Sequence, residues 1–133
     1  MNASDDMHLP EVKPVTRLID QERVDAYADA SHDYNPIHLE TPEAYSGVFG
    51  QPIAHGMLVL ALASEAMSAT FGDAWAGSGA MKVRWRQPAT QPVTVTATAE
   101  PRSASAGTAN YEIVCTTEDG EILLSGTASV RYD

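Results

Sequence analysis

His55-Gly56-Met57-Leu58-Val59-Leu60-Ala61-Leu62-Ala63-Ser64-Glu65-Ala66-Met67-Ser68-Ala69-Thr70-Phe71 is the longest and most apolar helical run of this 133-residue chain. From Met57 to Ala63 it is apolar on nearly every side, and Ser64 is the first polar side chain inside it. A helix that is hydrophobic all round is expected to be buried. Gly72 and Gly77 to Gly79 mark the break after it. The chain then changes period. Met81, Val83 and Trp85 alternate with Lys82, Arg84 and Arg86; residues 92–100 alternate Val and Ala with Thr; Tyr111, Ile113 and Cys115 stand opposite Asn110, Glu112 and Val114. A period of two marks strands. Asp119-Gly120 is a hairpin signal, and residues 121–132 form the last strand. Upstream, residues 11–19 read as a short first strand or extended arm. Asp20 is a helix N-cap with Arg23 at N3, so there is no capping box, and Val24, Tyr27 and Ala28 give a helix over 21–30. Thr41-Pro42-Glu43 starts a second, short helix, because Gly47 and Gly50 bracket a loop to Pro52. One long buried helix followed by antiparallel strands predicts an α+β domain, with the helix on one face of the sheet.

Length predicts one domain, over residues 11–133, preceded by a loose polar tail at 1–10. Eight Lys and Arg against eighteen Asp and Glu give a net charge of −10, which argues against a nucleic-acid binder. No apolar run reaches about 18 residues, so no membrane span is expected. The N-terminus lacks the pattern of a signal peptide. A single cysteine, Cys115, forms no internal disulfide and suits a reducing cytoplasm; its place in a strand predicts a buried, inert thiol. There is no CxxC, HExxH, GxSxG or phosphate-binding glycine loop, and His8, His32, His38 and His55 lack structural-zinc spacing. No metal and no tightly bound cofactor are expected.

The chemistry concentrates in Ser31-His32-Asp33-Tyr34-Asn35-Pro36-Ile37-His38. Asp33 and His38 lie five residues apart, a spacing that separates them on a helix, and Pro36 disfavours helix at Asn35. A bent loop brings them together as a carboxylate–imidazole pair around one water. The plainer alternative is that Asp33 caps a turn, Asn35 starts one and His38 lies on the surface.

Tyr27-Ala28, Ser31, Asp33, Asn35-Pro36-Ile37-His38 and the later Pro52-Ile53-Ala54-His55-Gly56-Met57 resemble the MaoC-like (R)-specific enoyl-CoA hydratase group. The strand end Arg84-Trp85-Arg86-Gln87-Pro88 resembles the same family, so the likeness runs through nearly the whole chain. It implies the hot-dog fold, a curved antiparallel sheet wrapped around a long central helix. It also implies a hydro-lyase adding water reversibly across the C2–C3 double bond of a trans-2-enoyl thioester, carried by CoA or by an acyl carrier protein. In that likeness Asp33 and His38 are the catalytic pair, and the Gly56 N–H binds the thioester oxygen at a helix N-terminus, where dipole and free donor favour an oxyanion. Asn35 shapes the loop. Ser64 falls where some members carry a serine near the pair. His55, also at the helix start, is a candidate substrate contact or a structural hydrogen-bonding residue.

Two departures stand out. His32 occupies the position of a family glycine before the catalytic Asp, and Ala89-Thr90-Gln91-Pro92 replaces a Gly-Asp turn, a change read as neutral. Lys82, Arg84 and Arg86 form a basic stripe, either for CoA phosphates or simply a solvated sheet face. Met57, Met67 and Met81 read as core filler, and Trp85 as core or interface. A homodimer is expected, covering the sheet edge. The rival readings are a hot-dog thioesterase and a non-catalytic acyl-binding partner subunit.

Overall fold

The computed structural model describes residues 8–132. Five antiparallel strands form one sheet in the order β1-β3-β4-β5-β2, with β1 at Val15–Ile19, β2 at Ala80–Trp85, β3 at Val93–Ser105, β4 at Thr108–Thr117 and β5 at Ile122–Arg131. Alternation decides their faces. Val93, Val95, Ala97 and Ala99 of β3 point inward with Ala109, Tyr111, Ile113 and Cys115 of β4, while the intervening threonines face out. Helix α3, Gly56–Phe71, lies across the inner face and buries Leu58, Val59, Leu62, Ala63, Ala66 and Met67 against it. Cys115 is fully buried beneath α3, and burial pushes its thiol up to about 11, as an inert packing residue requires.

The all-round apolarity of α3 overstates its burial. Met57 is 54% exposed, and Ala61 and Glu65, one turn apart along the same stripe, are exposed too. The chain supplies one sheet, which covers one side of the helix. The break after α3 also holds more structure than its glycines suggest. Gly72, at φ 54°, turns the chain into a short helix α4, Asp73–Ser78, which buries Trp75.

The two smaller helices form as their capping residues dictate. Asp20 accepts from the Arg23 N–H and starts α1, Gln21–Ser31. Thr41 accepts from the Ala44 N–H and starts α2, Pro42–Ser46. The sequence tail at 1–10 lies partly outside the described residues. Within them, Leu9 packs on the core and the Pro10 carbonyl accepts from the buried Tyr111 hydroxyl at 2.7 Å.

A bulge in the sheet sets the path of the chain beyond β2. Between Cys115 and Thr116 the β4–β5 register slips by one residue. The slip makes both Leu123 and Leu124 face inward, where strict alternation allows only one. The Leu123 carbonyl accepts from the N–H groups of Arg86 and Gln87, so the bulge also fixes the chain leaving β2.

Candidate active site

The loop from Ser31 to His38 is built by its own short polar side chains. His32 ends α1 in the left-handed region at φ 61°. Ser31 Oγ accepts from the Asp33 N–H at 3.2 Å, and Asp33 Oδ1 accepts from the Asn35 N–H at 3.1 Å. Asn35 Oδ1 accepts from the Ile37 N–H and caps a one-turn 3-10 helix, Pro36–His38. Asn35 therefore shapes the loop, and its position before Pro36 gives the reason: extended backbone there leaves the amide free to cap the next turn.

This turn brings the two proton-transfer groups together. His38 Nε2 lies 3.9 Å from Asp33 Oδ2, a gap one water bridges more naturally than a direct bond. His38 is 8% exposed, not a surface residue. Its Nδ1 stands 2.8 Å from the Ile53 carbonyl oxygen, which can only accept, so Nδ1 carries the proton and the Nε2 lone pair faces Asp33. Burial holds the His38 pKa below its ordinary value, and the neighbouring His55 adds to this; the Ile53 carbonyl and the Asp33 carboxylate pull the other way. The net effect favours the neutral imidazole, the form that accepts a proton.

The His38 backbone is also braced. Its carbonyl accepts from Gln21 Nε2 at 3.0 Å and from Gln91 Nε2 at 3.4 Å, and Gln91 Nε2 also donates to Gln21 Oε1. Gln91, inside the replaced turn at 89–92, is buried and reaches the His38 backbone from a distant loop. Sequence reasoning passed over Gln21 and Gln91, and the only signal for Gln91 was the departure itself.

A cavity of about 300 Å³ opens beside His38, lined by Phe49, Ile53, Val59, Trp85, Leu123 and Gly56 among others. Gly56 is the first residue of α3, its cap residue His55 makes no side-chain bond to the helix, and the Gly56 N–H has no partner among the described residues. A β-carbon on Gly56 would sit 2.7 Å from Trp85 Nε1, so glycine is what lets the indole close over the helix start. Trp85 is 47% exposed and lines the cavity wall, so it is not part of the core of this chain. Asp33 is not among the residues lining this cavity; its carboxylate lies next to His38 Nε2 and its side chain is half exposed. Arg86 also borders the cavity, while Lys82 and Arg84 do not.

Ser64 and His55, the other two candidates for the site, make their contacts outside the cavity. Ser64 Oγ accepts from Trp75 Nε1 at 2.9 Å and lies outside the cavity, because α4 folds back and its indole needs an acceptor. His55 is 3% exposed, with Nε2 3.0 Å from the Asp33 carbonyl oxygen and its ring stacked on His38 at 3.8 Å. One nitrogen each of His38 and His55 and an oxygen of Asp33 fall within 4.8 Å of one another. A shared metal would need ring-plane lone pairs converging at about 2.0–2.1 Å. Rings stacked at an interplanar angle of 27° send them side by side, so the trio fits proton transfer better than a metal centre.

The fold has clear parallels. The (R)-hydratase of A. caviae involved in PHA biosynthesis superposes with a TM-score of 0.81 over 96% of this chain and 99% of that one, at 23% identity, a likeness of hot-dog fold. A mitochondrial 3-hydroxyacyl-[acyl-carrier-protein] dehydratase of Arabidopsis thaliana is 39% identical over 59 residues, 44% of this chain and 36% of that protein. The (R)-specific enoyl-CoA hydratase of Aeromonas caviae is 46% identical over 41 residues, 31% of each chain. These alignments thus span about a third of the length of each curated relative. The family model of the MaoC-like domain matches residues 5–121, and this chain belongs to that family.

Proposed function

We propose that this chain is an (R)-specific enoyl-thioester hydratase, running in reverse as a 3-hydroxyacyl-thioester dehydratase, with Asp33 and His38 as its proton-transfer pair. The observation that carries the reading is His38 Nε2 facing Asp33 across 3.9 Å, beside a cavity that Gly56, with its free N–H, also lines. In the hydration direction a water between the two side chains loses a proton to the pair as its oxygen bonds C3. The C2–C3 π electrons move towards the thioester carbonyl, and the Gly56 N–H, at the positive end of α3, receives the charge on its oxygen. The proton then returns from the pair to C2, so one water is added and the pair is restored. The apolar lining of Ile53, Val59 and Leu123 suits the acyl group, and Arg86 at the border suits an anionic carrier.

A homodimer in the cytoplasm completes the proposal. Among the described residues β2 pairs only with β5, and its other edge, like the Met57–Ala61 stripe of α3, is open to a second copy. No helix of the described residues is long and apolar enough to cross a membrane.

The test is to mix the purified chain with crotonyl-CoA and follow enoyl absorbance and free thiol together. Loss of absorbance with formation of (R)-3-hydroxybutyryl-CoA and no thiol is the expected result. Thiol release would instead identify a thioesterase. No reaction with any enoyl thioester would leave a non-catalytic partner subunit.

A further inference from the structure

We infer that His55 is a positioning residue: it ties the Asp33 loop to the start of α3 and backs the His38 ring. This rests on the acid–base pair of the proposed hydratase. His55 does not touch the cavity, so it acts through its neighbours. Its Nε2 faces the Asp33 carbonyl oxygen at 3.0 Å; since that oxygen only accepts, Nε2 carries the hydrogen and donates. Its Nδ1 is then a bare acceptor, buried and without a partner among the described residues. Phenylalanine would fill the same space without that penalty, so the donor to Asp33 is what histidine supplies here.

That bond is distinctive because of where it comes from. The other hydrogen bonds on Asp33, from Asn35 and to Ser31, lie inside its own loop. His55 reaches it from another element. The His55 ring also touches His38 at 3.8 Å and Tyr27 of α1 at 4.8 Å, so α1, the loop and α3 meet on one imidazole. The next residue is Gly56, whose N–H is the proposed oxyanion donor. One dipeptide therefore sets both the charge-stabilising and the proton-transfer geometry, and misplacement of about 1 Å between such groups costs on the order of 10²-fold in rate.

Two variants separate the donor from the packing. His55→Phe keeps a ring against His38 but removes the N–H; His55→Gln keeps an N–H at a similar reach and removes the ring. In the full chain with crotonyl-CoA, His55→Phe is expected to lower kcat about 10- to 100-fold with KM within about threefold and no drop in Tm. His55→Gln is expected to recover most of the lost kcat. Wild-type kcat in His55→Phe, or equal losses in both variants tracking Tm, would overturn the inference. If the wild-type chain hydrates no enoyl thioester, the functional reading fails, and amide exchange at Asn35 decides this one separately. His55→Phe should speed that exchange at least about tenfold, since a loop freed from its tie opens more often; unchanged exchange would overturn the tie to Asp33.

Discussion

At φ 61° His32 holds a backbone conformation that side chains avoid at a cost of about 1–2 kcal/mol. Its place at the end of α1 is the C-cap position that favours glycine, and nothing in the structure explains a histidine there. Partly offset by the extra freedom of an unfolded glycine, His32→Gly should raise unfolding free energy by up to about 1 kcal/mol in urea titration. A loss of stability would contradict a strained cap. His38 gives a second prediction, in pH. Its folded pKa lies below the ordinary 6.5, chiefly through burial. Above pH 6.5 both folded and unfolded imidazoles are neutral and the group costs nothing. As pH falls below 6.5 the unfolded chain takes the proton first, so stability declines until the folded value is passed. Tm measured from about pH 7 to 5 should fall more steeply in wild type than in His38→Ala, and the acid limb of the kcat/KM profile, which reports the free enzyme, should lie below about 6.5. Asp33, Asn35 and His38 were legible in the sequence because local rules place them: Pro36 bars helix and Asn35 caps the turn. The partners of Ser64, His55 and Gln91 lie 11, 22 and 53 residues away, and no short-range pattern announces them.

At the scale of elements, capping and alternation account for what was readable. Asp20 and Thr41 cap as their side chains require, and β4 keeps the expected faces up to the bulge. Two features were not readable. The β3–β4 hairpin turns on Ala106-Gly107, both at positive φ, where alanine gives no turn signal. Ala106→Asn should add about 0.5 kcal/mol of stability, visible as a higher urea midpoint. The second is the contact of β5 with β2. A β-carbon on Gly126 would stand 2.1 Å from the Lys82 carbonyl oxygen, backbone that cannot swing away. Gly126→Ala should cost about 2–3 kcal/mol, and it should lower activity as well if the shift spreads to Trp85 at the end of β2. Retained Tm would show that β2 moves freely.

For the molecule as a whole, the apolar outer stripe of α3 is the informative surplus. The run from Met57 to Ala63 announced a helix needing cover on all sides, yet the chain's own sheet covers one. Phe49 and Trp85 stand at 45% and 47% exposure on the cavity wall, where large apolar rings are seldom left to water. A second copy covering this side is the economical account, and sedimentation equilibrium should give twice the 14.2 kDa chain mass. A monomer at micromolar concentration would contradict it. The central claim, that Asp33 and His38 move the proton, is tested most directly by kcat for crotonyl-CoA hydration in Asp33→Asn and His38→Ala with circular dichroism held at wild type. Each is expected to lose about 10²- to 10⁴-fold; turnover at the wild-type rate in either folded variant would contradict it.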